Sequence, residues 1–226
     1  MGKRENSVSA ILRSALRLYR AEGCSSVGVR RIASEAGVSL GMINHYFGSK
    51  EQLGASLLFL LGRHCSEAVS CRVRFSDDPV LSDLINVRVF TRFMLGRGYK
   101  AFYLDALRED LFFKYITGRP SVLIPALGRI YGFEPKEDDI LLYSRFLPYM
   151  LEKTVVLKKE EGLFSSVSYD DLPTMICVSA MEHFISRDEV LKRDGLSRMI
   201  ASEVFDSLPE LPSEDLISAF AENLPA

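Results

Sequence analysis

The stretch GVSLGMINHYFGSK (37–50) brings Asn44, His45, Tyr46 and Lys50 close together. A histidine beside an amide and a phenol suits two kinds of chemistry. One is a reactive loop in which His45 moves protons; the other is a short helix that lays hydrogen-bonding groups on a second molecule. The spacing favours the helix. At about 100° per residue, with Ile43 facing inward, Phe47 falls within about 40° of it, Gly41 and His45 point nearly opposite, and Met42 and Asn44 flank them. That outward face suits a DNA major groove: Asn pairs bidentately with adenine, His bonds base edges, Met touches a thymine methyl, and Gly lets the backbone come close. Plain solvation of an exposed His remains the alternative at this point.

The elements that must position this face are legible nearby. Val8, Ile11, Leu12, Ala15, Leu16 and Tyr19 have the spacing of an amphipathic helix, with Asn6 or Ser7 as its cap and Gly23 as its end. A short helix follows over 29–36, with Ile32, Ala33 and Ala36 inward and Gly37 closing it. Ser39 is placed to cap the next helix, which Gly48 stops, and SKEQ (49–52) fits a capping box that opens a helix reaching about residue 71. Two helices joined by a turn containing Gly37 predict a helix-turn-helix.

The remainder reads as helices over 80–95, 99–116, 121–131, 136–159, 170–186, 194–208 and 213–224, with stops at Gly96 to Gly98, Gly118, Gly132 and Gly162 and a bend at Pro148. No alternating strand pattern or internal repeat persists, so the expected fold class is all-α: an N-terminal three-helix DNA-binding domain (1–50) plus a helical bundle (51–226), to which the family resemblance given below assigns effector binding and dimerisation.

The 226-residue chain, 47% hydrophobic with net charge −2, hides a charge asymmetry. Residues 1–51 carry eight Lys or Arg against four Glu, a balance of +4, which leaves −6 for the rest. A basic unit on an acidic body is the electrostatic footprint of a nucleic-acid binder. No apolar run approaches the roughly 18–20 residues that cross a bilayer, and MGKRENSVSA has no apolar leader, so a cytoplasmic protein without a membrane partner is expected.

Cys24, Cys65, Cys71 and Cys177 lack CxxC spacing. His64 and Cys71 share a helix face but sit about 10 Å apart along it, too far for one metal. No metal and no cofactor are expected. GxSxG, HExxH, GxxxxGK[ST] and GxGxxG are all absent, so no enzyme is expected. Aromatic residues are dense from Tyr99 to Tyr115 and at Tyr143, Phe146 and Tyr149. At helical spacing they build core; alternatively Tyr99, Phe102, Tyr103, Phe146 and Tyr149 line an effector pocket, with Arg92, Arg97, Arg108 or Arg145 available for an acidic group.

Residues 11–53, with the aliphatic first helix ending in AEG, then RIASEAGVS, then HYFGSKEQL, resemble the N-terminal DNA-binding region of the TetR family of bacterial transcriptional regulators. The resemblance implies that Lys50 contacts a phosphate at the start of the fourth helix, that Phe47 is core and that Tyr46 reaches a phosphate. Two positions depart from the family. Gly28 replaces a Thr that caps the second helix and reaches a phosphate, a role for which Ser26, Arg30 or Arg31 could substitute. Asn44 replaces a frequent Tyr, which exchanges a long phosphate-reaching side chain for a short amide suited to base reading.

The DNA-binding candidates are therefore Arg30, Arg31, Ser39, Gly41, Met42, Asn44, His45, Tyr46 and Lys50. The family's fold further implies a C-terminal domain that binds a small-molecule effector and pairs with a second subunit, through helices near 136–159 and 170–186. The expected function is a ligand-responsive transcriptional regulator, a repressor, that binds palindromic operator DNA as a homodimer and is released by its effector. Two other readings fit the residues alone: a helical protein-interaction module without DNA binding, and a small hydrolase or transferase using His64 or His183 with a cysteine.

Overall fold

The computed structural model describes residues 3–116 and 121–224. It is all helical, with no strand among the described residues. The helices are α1 (Lys3–Glu22), α2 (Val29–Ala36), α3 (Leu40–Phe47), α4 (Lys50–Ser70), α5 (Pro79–Gly96), α6 (Lys100–Arg108) and α7 (Leu111–Ile116). Then follow α8 (Leu123–Tyr131), α9 (Glu137–Leu141), a π-helical turn (Leu142–Phe146), α10 (Leu147–Glu160), α11 (Leu172–Met181), α12 (Arg187–Leu191), α13 (Asp194–Ser207) and α14 (Glu214–Glu222).

The chain forms two compact units that do not follow chain order. The first holds Met1–His64, Met94–Tyr115 and Pro209–Ala226; the second holds Cys65–Phe93 and Ile116–Leu208. In the first unit, α1 packs against α2, α6 and α14, and α2 packs against α3. Its core is Ile11, Leu12, Leu16, Tyr19, Ile32, Ile43 and Leu53 with Tyr99, Phe102 and Tyr103, all buried. Arg20 ties three segments of this unit together: its Nε donates to the Arg97 carbonyl at 2.8 Å, it pairs with Glu210, and it lies 5.6 Å over the Tyr99 ring. Arg13 pairs with Glu214 on α14, and Phe59 meets Phe220 at 5.5 Å.

In the second unit α11 packs against α10, the π turn and α12. Its apolar cluster includes Val80, Leu84, Ile124, Leu127, Cys177 and Met181. Within it the nearly buried Arg88 donates through Nε to Ser197 Oγ at 2.9 Å and through Nη1 to the Asp170 carbonyl at 2.7 Å, and it pairs with Asp194. Beside this network, the Cys177 thiol donates to Asp83 at 3.6 Å.

Several expected details differ. α1 starts at Lys3, so Asn6 and Ser7 lie inside it and cap nothing. The expected helix over 99–116 breaks after Arg108, where Asp110 takes a left-handed φ of 55° without a Gly or Pro to signal it. The expected helix over 136–159 contains a π turn rather than a simple bend. Pro148 sits in the first turn of α10, and its missing N–H and its ring's clash with the carbonyl four residues back fall where the turn widens. The helix expected over 170–186 is shorter, and α12 follows it, capped by Ser186. Gly118 as a stop, and the side chains of Lys3, Arg4, Glu5 and Tyr115, lie outside the described residues.

Candidate nucleic-acid interface

The turn between α2 and α3 is built locally. Gly37 ends α2 at φ 65°, a left-handed conformation that a side chain strains, and the Val38 N–H closes the end by donating to the Ala33 carbonyl at 3.0 Å. Ser39 occupies the N-cap position of α3 in extended backbone, yet its hydroxyl accepts no capping bond, contrary to expectation. Ser49 does cap: the Gln52 N–H donates to its Oγ at 3.2 Å.

Ile43 and Phe47 anchor α3, at 0% and 5% exposure. Opposite them Gly41, Asn44 and His45 are exposed, while Met42 and Tyr46 are half-buried. The His45 and Tyr46 rings lie 5.0 Å apart. The geometry is that of a short rigid platform, with two apolar anchors behind and an amide and an imidazole in front.

The flanking cations differ in how free they are. Arg31 is exposed but paired with Glu22 at 2.6 Å, a bond that lowers the Glu22 pKa and raises that of Arg31. Arg17 pairs with Glu35 at 3.1 Å. Arg30 is exposed and has no acidic partner among the described residues. Lys50 opens α4 at a helix start, whose dipole favours an anion, and its Nζ reaches the Ser25 carbonyl at 3.5 Å. Gly28 caps α2 without any side-chain bond, as a residue lacking a hydroxyl must.

The aromatic candidates are divided between the two compact units. Tyr99, Phe102 and Tyr103 are fully buried in the first unit, where Phe102 meets Tyr19 at 5.2 Å and Tyr103 meets Phe112 at 6.1 Å. The Tyr99 hydroxyl donates to the Glu210 carbonyl at 3.1 Å. Phe146 and Tyr149 belong to the second unit. Of the arginines considered with them, Arg92 lies 4.3 Å over the Phe205 ring and Arg108 pairs with Asp105 at 3.4 Å. Arg145 has no ion-pair partner among the described residues, and burial lowers its pKa.

Burial pushes the Cys24 and Cys65 thiols up to about 12, so neither supplies a thiolate nucleophile near neutrality. Among the described residues no group of His, Cys, Asp and Glu could hold a metal, and no helix is long and apolar enough to cross a membrane.

One part of the site is not readable from sequence. Ser25, in the turn after α1, donates its N–H to Asp105 Oδ2 at 2.9 Å and its hydroxyl to Glu109 Oε1 at 2.7 Å. No local pattern marks partners some eighty positions away.

Residues 11–57 match the profile of the bacterial regulatory proteins of the tetR family. The chain is 44% identical over 62 residues to the HTH-type transcriptional regulator BetI of Rhizobium meliloti (strain 1021), covering 27% of this chain and 30% of that protein. It is 35% identical over 131 residues to the BetI regulator of Agrobacterium fabrum, covering 54% and 63%. The chain thus spans less than two thirds of the length of these curated relatives. Among solved structures it is similar to a gamma-butyrolactone receptor (ArpA-like protein), at 14% identity, 91% and 99% coverage and a TM-score of 0.39. It is also similar to the TetR family repressor AlkX from Dietzia sp., at 16% identity, 94% and 90% coverage and a TM-score of 0.34.

Proposed function

We propose, for a chain that belongs to the TetR family of bacterial regulatory proteins, that it is a cytoplasmic, ligand-responsive repressor binding palindromic operator DNA as a homodimer. One observation carries this reading: α3 presents Gly41, Asn44 and His45 outward on the buried anchors Ile43 and Phe47, with Lys50 at the adjoining helix start. Asn44 and His45 read base edges, while Lys50, Arg30 and Tyr46 hold the backbone. Arg31 joins them by exchanging Glu22 for a phosphate.

A single helix of this length makes too few contacts for selective binding, and a two-fold pair doubles them on half-sites about 34–36 Å apart. Exposed apolar side chains support pairing through the second unit. Leu141, Leu142, Leu147 and Met150 stand along the interrupted α9–α10 segment, Met175 on α11, and Leu196 and Met199 on α13. In functional terms residues 1–50 read DNA and 51–226 bind the effector and pair. Effector binding favours a second state in which α4 shifts and the recognition helices leave the half-site spacing.

The test is binding of purified protein to its own upstream DNA across a salt series. Lys50→Ala is expected to weaken binding to all sequences and reduce the log–log salt slope by about 1. Asn44→Ala should cost about 1–3 kcal/mol and relax preference at one base pair. Salt-insensitive association, or binding unchanged by both substitutions, would sink the proposal and favour a protein-interaction module.

A further inference from the structure

Ser25 has every polar group engaged, although it is exposed in a turn. Its N–H goes to Asp105 and its hydroxyl to Glu109, while its carbonyl accepts from Lys50 Nζ at 3.5 Å. The turn also presses on α6. A Cβ built on Gly23 would stand 2.6 Å from Asp105 Oδ2 and 3.4 Å from the Ala101 Cβ, so this glycine leaves the room in which the carboxylate sits. Charges of both signs converge here: burial dominates the raised pKa of Cys24, but Glu109 and Asp105 add to it and Lys50 opposes it. Meanwhile α2 begins at Gly28 with no side-chain cap and open space around it, so nothing in α2's own start staples this turn.

We propose that Asp105 and Glu109 are positioning residues for the phosphate contact at Lys50, acting through Ser25. The inference rests on the DNA-binding reading above, in which Lys50 meets a phosphate. Ordering a long ammonium side chain costs rotamer entropy, and a carbonyl fixed by two carboxylates holds the Nζ in place before DNA arrives. The carboxylates touch the turn rather than the phosphate. Their own charge repels DNA, so their geometric and electrostatic effects have opposite signs.

That opposition supplies the test. Full-length protein is titrated against a labelled mixed-sequence duplex by fluorescence anisotropy at several salt concentrations, with thermal unfolding as the folding control. The double variant Asp105→Asn/Glu109→Gln removes two negative charges. Positioning predicts that it binds roughly fivefold more weakly, with a salt slope smaller by about 1, like Lys50→Ala. In a Lys50→Ala background the same two changes should have no effect on binding. Ser25→Ala, which removes only the bond to Glu109, should show part of the loss and carries the test if the double variant unfolds. Equal or tighter binding with an unchanged slope in the folded double variant, or in Ser25→Ala where the double variant unfolds, overturns the inference and leaves the Lys50 contact standing. Parent protein and Lys50→Ala binding alike would overturn both together.

Discussion

The two compact units solve burial in opposite ways. Among the described residues the first unit leaves only Leu211 as a large apolar side chain at the surface, and its buried polar residues are Ser9, Ser14 and His64, whose Nε2 meets the Pro209 carbonyl at 2.8 Å. The second unit encloses Arg88 and its network, yet it exposes Val122, Ile130, Leu142, Met150, Met199 and others. An apolar surface in water is costly unless something covers it, whereas a polar surface is ready for a polyanion. The difference agrees with the proposed reading, in which the first unit meets a phosphate backbone and the second a second apolar surface.

The comparison can be broken at its strongest points first. Phe47→Ala should destabilise the first unit by about 3–5 kcal/mol, because the cavity opens behind α3. Arg88→Ala should cost the second unit about 1–3 kcal/mol, because Ser197 and the Asp170 carbonyl lose their buried donor while Asp194 keeps Arg198 at 2.7 Å and Thr174. Urea unfolding measures both. If Arg88→Ala were neutral, the second unit's interior would be ordinary apolar core.

The next test concerns the exposed face. Leu142→Glu with Met150→Glu should leave helical content intact while sedimentation shows a single chain in place of a pair. An unchanged mass would separate the exposed apolar groups from assembly.

Smaller still is the effect of Asp83. Burial raises its pKa from the ordinary 3.8 to about 6 against the opposing bond from Cys177, so the folded state holds a proton that the unfolded chain gives up. Stability from this group is full below pH 4 and is lost as pH rises toward about 6. Asp194, whose pKa is lowered in the fold, acts with the opposite sign and loses its contribution in acid. Asp83→Asn should flatten the fall of stability between pH 4 and 6 and gain on the order of 1 kcal/mol at pH 7. Stability curves that superimpose with the parent's would remove Asp83 as a buried charge. Smallest is Ser49→Ala, expected to cost the first unit about 1 kcal/mol through the lost cap on Gln52. The same change at Ser39, which makes no capping bond, should cost less.

Much of the first unit was legible because its determinants are local. Gly37 needs its left-handed conformation whatever surrounds it, and Ile43 and Phe47 lie on one face of any helix that contains both. The exposed set Gly41, Asn44 and His45 followed from the same wheel. What escaped depends on distant partners. Position alone predicts a cap at Ser39, but it lacks the Glu or Gln three residues on that Ser49 has in Gln52, and of the two only Ser49 caps. The left-handed Asp110 carries no local signal, and the π turn ahead of Pro148 reads as a bend. Asp105 and Glu109 look like ordinary surface acids on a helix end until the fold brings Ser25 to them.

The joint at Arg20 bears on the order in which the protein comes into being. During synthesis α1, α2 and α3 leave the ribosome first, but the backbone of Arg97, the ring of Tyr99 and the carboxylate of Glu210 that complete their unit arrive later, Glu210 only after all of the second unit has been made. A nascent chain stalled before residue 209 therefore carries α1, α2 and α3 on an unfinished base, and the platform on which α3 stands is finished only when residues 209–224 are made.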